Sequence, residues 1–478
     1  MGYCCPDFSF RKFVKYAGPS LLMSAAFMDP GNLEGDLQMG AKTGYTLLWV
    51  VAVATLLGFI VQYLAAKLGV VTGKGLAEIC RSEYPPFVRY TVWIMIELAI
   101  IGADVQEVTG SAIALSILSS GYIPLWAGTV IAVATSFGLL FVDNFGPRML
   151  EAVFGVLISV MGLSFLYMYL RASIPVTEVL KGFVIPRMEM SQINLVTGMV
   201  GSLIMPFNLY LHSALVLTRS VDRGSIEKKK EAVGYFGLES FLVLLMTLMI
   251  NSSIVCVFAA GFFGQDMEDV GLLKAADLLA DRFGPEMRYV WAIGLVASGQ
   301  AAVMAGGLAG QHVMLGFLDL RVSKFHRLLF SRSVAIIPTL VVVFLYHESH
   351  ELDVMNEVLN MFQSWILPFG LIPLLVFTST VRLMEDMTNS LITSIAAWII
   401  GASVFAFTVA WIFESLVDVC SPGFVGCFFG VCAAASYFGF ITYILLLPCI
   451  RRGKSKQNKI SKDEKIPLIS EQEVEENC

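Results

Sequence analysis

Long apolar segments alternate with short polar ones along nearly the whole chain. A helix that crosses a bilayer needs about 20 predominantly apolar residues, and twelve segments meet that requirement. The pattern therefore predicts an all-α polytopic membrane protein with about 12 transmembrane helices, called spans 1 to 12 here in chain order. They fall near residues 17–43, 45–70, 90–119, 123–142, 148–170, 195–218, 232–260, 287–317, 328–346, 354–380, 390–415 and 424–449.

The composition supports this class. Hydrophobic residues occupy 56% of the 478 positions and charged residues only 15%, whereas soluble domains carry about 25% charged residues. A net charge of −6 without a basic domain argues against nucleic-acid binding. Because the chain shows no nucleophile motif, cofactor-binding loop or soluble catalytic domain, we expect neither an enzyme nor a bound cofactor. We expect the lipid bilayer to be its main surroundings.

The same pattern predicts three regions and an orientation. Residues 1–16 form a cytosolic N-terminal tail, residues 17–450 a transmembrane domain, and residues 451–478 a disordered cytosolic C-terminal tail. An even number of spans places both termini on one side. Most of the 32 lysines and arginines then lie on the side of the termini, and basic residues favour the cytosolic side. We therefore expect both termini in the cytosol.

The C-terminal tail contains a candidate sorting signal. Glu464, Leu468 and Ile469 have the spacing of an acidic dileucine motif, which sorting adaptors read in eukaryotic endosomal and lysosomal proteins. We expect either the plasma membrane or an endosomal, lysosomal or vacuolar membrane. Near the end of the membrane domain, Cys420 and Cys427 flank a short loop. They form either a disulfide, if the loop is outside the cytosol, or two free thiols.

Two spans are interrupted by proline in matching ways. Span 1 contains the sequence DPGN at residues 29–32, and span 6 contains MPFN at residues 205–208. Proline removes a helix donor and clashes with the preceding turn. The two spans are five apart in chain order, so they run through the membrane in opposite senses. Paired interruptions of this kind indicate a transporter built from inverted repeats with its site at the midplane. Two proline kinks without function are the alternative.

The residues at the two interruptions are suited to a metal ion. Asp29 and Asn32 offer hard oxygen ligands, and Met205 offers a soft sulfur. Oxygen ligands alone suit Mg²⁺, Ca²⁺ or Mn²⁺, whereas a thioether adds affinity for softer metals. This mixed set favours a first-row divalent metal such as Mn²⁺ or Fe²⁺. Simple packing is the commoner role of a methionine.

Span 3 carries a second group of polar residues. Glu97, Asp104 and Glu107 are spaced at i, i+7 and i+10, which places them on one helical face. Three carboxylates cannot all carry a charge cheaply within the membrane, and such chains serve as proton relays. Ion pairing, for example with Arg332 in span 9, is the alternative, and the two roles are compatible. His212 in span 6 either joins the relay or forms a hydrogen bond between helices.

Around these residues the sequence resembles the NRAMP (natural resistance-associated macrophage protein) family of divalent-metal transporters. The resemblance runs from about residue 12 to 450 and is carried by six stretches: AAFMDPGNLEGDLQMGAKTGYTLLWV, IELAIIGADVQEVTGSAIAL, MPFNLYLHSALVLTRS, ASGQAAVMAGGLAGQHVMLGFL, SRSVAIIPTL and LNMFQSWILPFGLIPLL. It implies the leucine-transporter-type fold, with broken helices 1 and 6. Two inverted five-helix repeats would occupy residues 17–171 and 195–380, and two additional helices residues 390–449.

The resemblance also implies a function and a set of site residues. Members of the family import Mn²⁺ or Fe²⁺ into the cytosol together with protons, by alternating access, and Cd²⁺ and Co²⁺ are further candidate substrates. The side-chain ligands would be Asp29, Asn32 and Met205. Ala26 and Ser202 would contribute backbone carbonyls, and Gln363 would approach the metal in an occluded state. The residues that match the proton pathway are Asp29, Glu97, Asp104, Glu107 and Arg332, with His212 as a further candidate.

Three positions depart from the family pattern and leave alternatives open. Phe207 replaces the usual histidine after Met-Pro, Ser202 replaces an alanine, and Leu315 replaces a glutamate. Without the histidine, the proton pathway has one fewer group that titrates near neutral pH. A Mg²⁺-handling or proton-uncoupled relative is therefore the main alternative. A transporter-like metal sensor or receptor is less favoured, because such proteins usually carry a long cytosolic signalling domain.

Overall fold

The structure is a computed structural model that describes residues 8–140, 146–264, 270–319, 333, 337–341, 349–420 and 424–463. All regular secondary structure in these ranges is helical. The chain divides into two units, Met1–Ser415 and Leu416–Cys478. In chain order the helices are α1 (Phe10–Tyr16), α2 (Pro19–Ser24), α3 (Pro30–Thr43), α4 (Leu48–Thr72), α5 (Leu76–Glu83), α6 (Pro86–Leu118), α7 (Leu125–Leu140), α8 (Pro147–Arg171), α9 (Val176–Val184), α10 (Ile193–Leu203), α11 (Pro206–Leu215), α12 (Ile226–Phe262), α13 (Leu272–Phe283), α14 (Glu286–Leu318), α15 (Ser349–Thr378), α16 (Val381–Met384), α17 (Leu391–Cys420) and α18 (Phe424–Asp463).

Most predicted spans correspond to long helices. Within the described ranges, nine helices are long and apolar enough to cross a membrane, and they match spans 2, 3, 5, 6, 7, 8, 10, 11 and 12. Span 4 is the shorter apolar helix α7, and span 1 is divided between α2 and α3. Most of span 9 lies outside the described residues. The structure therefore confirms a polytopic all-helical protein. Helix α18 continues to Asp463. The predicted membrane domain ends at residue 450, within this helix. The domain boundaries stay predictions.

The interruption of span 1 follows from its Asp-Pro sequence. Helix α2 ends at Ser24, and a short 3-10 turn carries the chain to Phe27. Asp29 then has an extended backbone, and its Oδ1 accepts a hydrogen bond from the Asn32 N–H at 3.0 Å, so that it caps α3. Pro30 is the first residue of α3, a position where the missing N–H costs nothing. The sequence therefore ends one helix and begins another.

The interruption of span 6 is built in the same way. Helix α10 ends at Leu203, and Ile204 leaves the helical region with φ −114° and ψ 63°. Met205 occupies the cap position of α11, and Pro206 is its first residue. The backbone N–H of Asn208 donates to the Met205 carbonyl at 3.1 Å, which closes the first turn. The two broken helices thus each present an unwound segment before a proline.

Helix α14 packs closely on α6 because glycines line the contact. Gly299 lies against the Ser111 side chain and the Glu107 carbonyl, and Gly306 lies against the carboxyl groups of Asp104 and Glu107. Small residues let transmembrane helices approach closely. This contact buries the two carboxylates between spans 3 and 8.

Candidate metal site

Asp29 and Asn32 present unpartnered oxygens at the first interruption. Both side chains are fully buried. One carboxylate oxygen of Asp29 accepts the hydrogen bond that caps α3, and the other, Oδ2, has no hydrogen-bond partner in the described part of the chain. The Asn32 Oδ1 also lacks a hydrogen-bond partner there. A buried acceptor that lacks a donor is costly, so these two oxygens are candidate ligands for a cation.

The Asn32 amide joins the two interruptions. Its Nδ2 donates to the Ser202 carbonyl at 3.1 Å and to the Ala26 carbonyl at 3.4 Å. These are the two carbonyls that the family resemblance names as metal ligands. A single side chain therefore holds the predicted backbone ligands beside the predicted side-chain ligands. The hydroxyl of Ser202 donates to the Met199 carbonyl of its own helix at 3.2 Å, so it is not directed towards the site.

Met205 lies in the same region from the side of span 6. Its side chain is fully buried. Together with Phe27, two residues before Asp29, it lines a cavity of about 10 Å³. The structure thus brings together five of the six predicted ligand residues: Ala26, Asp29, Asn32, Ser202 and Met205.

The sixth, Gln363, is held elsewhere in this conformation. It is fully buried, and its Nε2 donates to the Ala99 carbonyl of α6 at 2.7 Å. One turn away, Asn360 donates to the Gly31 carbonyl at 3.0 Å and accepts from Gln106 at 2.8 Å. Helix α15 therefore reaches the first interruption through Asn360. An approach of Gln363 to the metal requires its bond to α6 to break.

The three carboxylates of span 3 do not share one environment. Asp104 and Glu107 are buried where α6 meets α14. Glu97 is half-buried, and its Oε1 accepts a hydrogen bond from Trp93 of the same helix at 2.9 Å. Arg332, their predicted basic partner, lies outside the described residues. The structure places Asp104 and Glu107 together against α14, and Glu97 lies about two turns earlier on α6.

The histidine and phenylalanine of span 6 are both in the interior. His212 is fully buried on α11, and neither ring nitrogen has a hydrogen-bond partner among the described residues. Phe207, five residues earlier, is also fully buried. Leu315, the third departure from the family, is half-buried near the end of α14. Among the described residues, His212 does not form the hydrogen bond between helices that its sequence position suggested.

A polar cavity lies close to the first interruption. Its volume is about 360 Å³, and it lies between α3, α10 and α15. Its carboxylates are Glu34, Glu189 and Glu357; the Lys42 ammonium lies 3.1 Å from the Glu357 carboxylate. Met199 and Asn360 also line it. Because Asn360 contacts the DPGN turn through Gly31, the cavity reaches the neighbourhood of Asp29.

On the opposite side of the interruption, a buried polar network holds the start of α2. One oxygen of Glu239 accepts from the N–H groups of Gly18, Ser20 and Leu21 at 2.6, 3.0 and 3.3 Å. Arg219 forms a buried ion pair with Glu151 and donates to the Ala17 carbonyl at 2.8 Å. The sequence analysis missed this network. An acid inside the apolar run of span 7 was the signal that pointed to Glu239.

Gly18 is required in this network by its backbone. Its φ is +130°, a conformation that residues with a side chain rarely adopt. A Cβ atom at this position would also collide with the side chains of Arg219 and Glu151. The glycine therefore lets the chain enter α2 directly beneath the ion pair.

The family comparison agrees with this geometry. The family model described as "Natural resistance-associated macrophage protein-like" matches residues 20–414, which is most of the chain. The chain belongs to the Nramp family. Metal transporter Nramp2 of Arabidopsis thaliana is 45% identical over 92% of this chain and 84% of its own length. Natural resistance-associated macrophage protein 2 of Homo sapiens is 43% identical over 92% and 82%.

Solved structures confirm the fold. The manganese transporter of Eremococcus coleocola superposes with a TM-score of 0.84 at 28% identity, over 94% of this Nramp chain and 97% of its own. Mhp1, a nucleobase-cation-symport-1 family transporter, superposes with a TM-score of 0.53 at 16% identity, which shows a shared fold. The leucine-transporter-type fold expected from the sequence is therefore confirmed.

Two predictions concern the C-terminal part of the chain. Glu464, Leu468 and Ile469 of the sorting motif lie outside them. Cys427 is disulfide-bonded, and the side chain of Cys420 is not described. The pairing of these two cysteines stays a prediction.

Proposed function

We propose that this Nramp protein imports divalent transition-metal ions into the cytosol, with Mn²⁺ and Fe²⁺ as preferred substrates and Cd²⁺ and Co²⁺ as further ones. One observation carries the proposal: the Asn32 amide joins the carbonyls of Ala26 and Ser202 beside the unpartnered Asp29 oxygen. The buried Met205 follows Ser202 by three residues. The names of the relatives, which include metal transporters and a manganese transporter, support the same class of substrate.

The ion enters through the polar cavity. Carboxylates lining a cleft raise the local concentration of cations, and Glu34, Glu189 and Glu357 line this one. At the interruption, Asp29 and Asn32 replace part of the water shell of the ion. The carbonyls of Ala26 and Ser202 become available when the Asn32 amide turns away from them. Met205 then supplies the sulfur that distinguishes softer metals from Mg²⁺.

Release requires the opposite end of the broken helices to move. The start of α2 is held by Glu239 and by the pair of Arg219 and Glu151. Separation of these groups would free α2 and open the cytosolic side. We further propose that both termini lie in the cytosol, where sorting adaptors would have access to Glu464, Leu468 and Ile469.

Proton coupling forms the second part of the proposal. The pathway would comprise Asp29, Glu97, Asp104, Glu107 and Arg332, with His212 as an additional member. Phe207 supports the alternative of proton-independent transport, because an apolar ring stands where the family usually has an imidazole. Mg²⁺ handling is the remaining alternative, and Met205 disfavours it, since hydrated Mg²⁺ gains little from a thioether.

Uptake into proteoliposomes tests the proposal. Purified protein should accumulate radioactive Mn²⁺, Fe²⁺ should compete strongly and Mg²⁺ weakly, and Asp29→Ala should abolish uptake. Glu178→Gln, which alters an exposed carboxylate of α9, is the matched control. No Mn²⁺ uptake by native protein, in a preparation where a known metal transporter is active, would overturn the proposal.

A further inference from the structure

The outer face of helix α1 carries two rows of side chains with different chemistry. Phe10 and Val14, four residues apart, form one row, and Arg11 and Lys15 form the neighbouring row. Phe10 is 70% exposed and Val14 is 47% exposed. Arg11 and Lys15 are exposed as well. The helix therefore presents an apolar row beside a basic row, a pattern typical of helices that lie at a membrane surface.

The inner face of α1 is fixed to the protein. The Tyr16 ring stacks on Tyr235 of α12 at a centroid distance of 5.6 Å, and Lys12 forms an ion pair with Glu231 of the same helix. Ser9, which precedes α1, donates its backbone N–H to the Tyr235 hydroxyl at 2.9 Å. These contacts hold one face of α1 against α12, so the face with the two rows is directed away from the protein.

The neighbours of α1 place it at the edge of the membrane domain. The Arg148 guanidinium, in the first turn of α8, donates to the Val14 and Lys15 carbonyls, each at 2.9 Å. Helices α8 and α12 are both long and apolar enough to cross a membrane, and α1 contacts each of them near its beginning. Met149, next to Arg148, is exposed, as expected for an apolar side chain that faces lipid. The membrane surface therefore lies at the level of α1.

The basic row has no acidic counterpart on the protein. The sequence from Phe8 to Tyr16 contains no aspartate or glutamate. Neither Arg11 nor Lys15 forms an ion pair with any residue that the structure describes, and the Lys15 ammonium lies 5.5 Å from the centre of the Tyr16 ring. Basic side chains close to a membrane surface are attracted to anionic lipid headgroups. The charge on this face therefore complements an anionic leaflet.

We propose that the outer face of α1 docks on an anionic phospholipid leaflet of the surrounding membrane. The side chains of Phe10 and Val14 enter the boundary between headgroups and acyl chains, and those of Arg11 and Lys15 bind the anionic groups of the lipid headgroups. The partner is the lipid itself. This docking does not depend on which ion the protein transports, so its test is separate from the test of transport.

Docking of α1 has a consequence for the start of α2. Only Ala17 and Gly18 separate the two helices. The Ala17 carbonyl accepts hydrogen bonds from both Arg148 and Arg219, each at 2.8 Å. A leaflet that holds α1 in place therefore also restrains the first residues of α2. Anionic lipid should thus stabilise the conformation seen here.

Thermal melting of the full-length protein in detergent micelles tests the docking. Phosphatidylserine should raise the melting temperature more than an equal amount of phosphatidylcholine, because a ligand that binds the folded protein stabilises it. The titration gives an apparent affinity, which Arg11→Gln combined with Lys15→Gln should weaken about tenfold. The matched control is Lys181→Gln combined with Lys274→Gln, which removes two exposed cations from α9 and α13, at the far ends of α8 and α12. The control should bind phosphatidylserine as native protein does.

The apolar row is tested by Phe10→Ser combined with Val14→Ser, which should also weaken the apparent affinity for phosphatidylserine. Glycerophosphoserine, the same headgroup without acyl chains, should leave the melting temperature unchanged. A cooperative melt in phosphatidylcholine shows that a variant is folded, and Arg11→Gln alone decides the matter if the double variant is not.

Three results would overturn the proposal. The first is an equal affinity for phosphatidylserine in native protein and in the folded variant without the two basic side chains. The second is an equal stabilisation by glycerophosphoserine, since the headgroup alone would then suffice. The third is a dimer in native mass spectrometry that Phe10→Ser with Val14→Ser abolishes, which would assign this face to a second copy of the chain.

Discussion

The side-chain nitrogen of Asn32 lies 3.1 Å from the carbonyl oxygen of Ser202, and this hydrogen bond joins residues 170 positions apart. It connects the unwound segment of span 1 to that of span 6. Both segments have backbone groups that no helix satisfies, and a buried backbone group needs a partner. The amide therefore satisfies both carbonyls in this structure, and we expect metal binding to displace it.

The sulfur of Met205 should determine metal preference. Met205→Ala should weaken competition by Mn²⁺ and Cd²⁺ about tenfold, because a soft ligand is lost, and should leave the weak competition by Mg²⁺ and Ca²⁺ unchanged. Uptake of radioactive Fe²⁺ with the four ions as competitors measures this. Met361→Ala, which removes a thioether from the wall of the entry cavity, is the control. An equal effect on all four ions would remove Met205 as the residue that confers selectivity.

The carboxylate of Glu239 should hold the protein in the conformation seen here. Glu239→Gln replaces a charged acceptor of three backbone N–H groups, and hydrogen bonds to a charged group contribute about 1.5–3 kcal/mol each. We expect a lower melting temperature and easier opening of the cytosolic side. Accessibility of a cysteine introduced at Ser24 to a thiol reagent reports that opening. The comparison is with Ser24→Cys protein that keeps Glu239. Equal labelling of the introduced cysteine in the two proteins would show that the network does not restrain α2.

Restoring a histidine at position 207 should strengthen proton coupling. Phe207→His introduces a group that titrates near neutral pH next to the second interruption. We expect more protons to enter per Mn²⁺ ion, measured with a pH-sensitive dye inside proteoliposomes. Phe207→Leu serves as the control for the loss of ring volume. If the ratio of protons to metal is the same in all three proteins, the coupling path does not include this position.

The loop before α12 should contribute nothing to the pH dependence of uptake near neutrality. Hydrogen bonding to the Lys228 ammonium at 2.7 Å lowers the pKa of the Asp222 carboxyl. A lowered carboxyl pKa means that the contact is present above the ordinary pKa of 3.8 and is lost only as the pH falls below it. Asp222→Asn should therefore leave the pH profile of uptake unchanged between about pH 5 and 8. A changed profile would place a coupling group in this loop.

The hydrophobic pattern predicted the helical architecture well, because spans of about 20 apolar residues have few other stable arrangements. The two interruptions were also predictable, since Asp-Pro and Met-Pro each stop a helix locally. The network of Glu239, Arg219 and Glu151 was not predicted. Its members are far apart in the chain, and only Glu239, an acid inside the apolar run of span 7, gives a signal by itself.

The sequence by itself determined the class of protein, the positions of the breaks and the chemistry of Asp29, Asn32 and Met205, because these depend on local composition and local backbone restraints. Tertiary structure alone decided which carbonyls Asn32 contacts and that Gln363 is held by α6. Contacts of this kind depend on the register between helices. That register is set by packing across the whole membrane domain, and no short stretch of sequence specifies it.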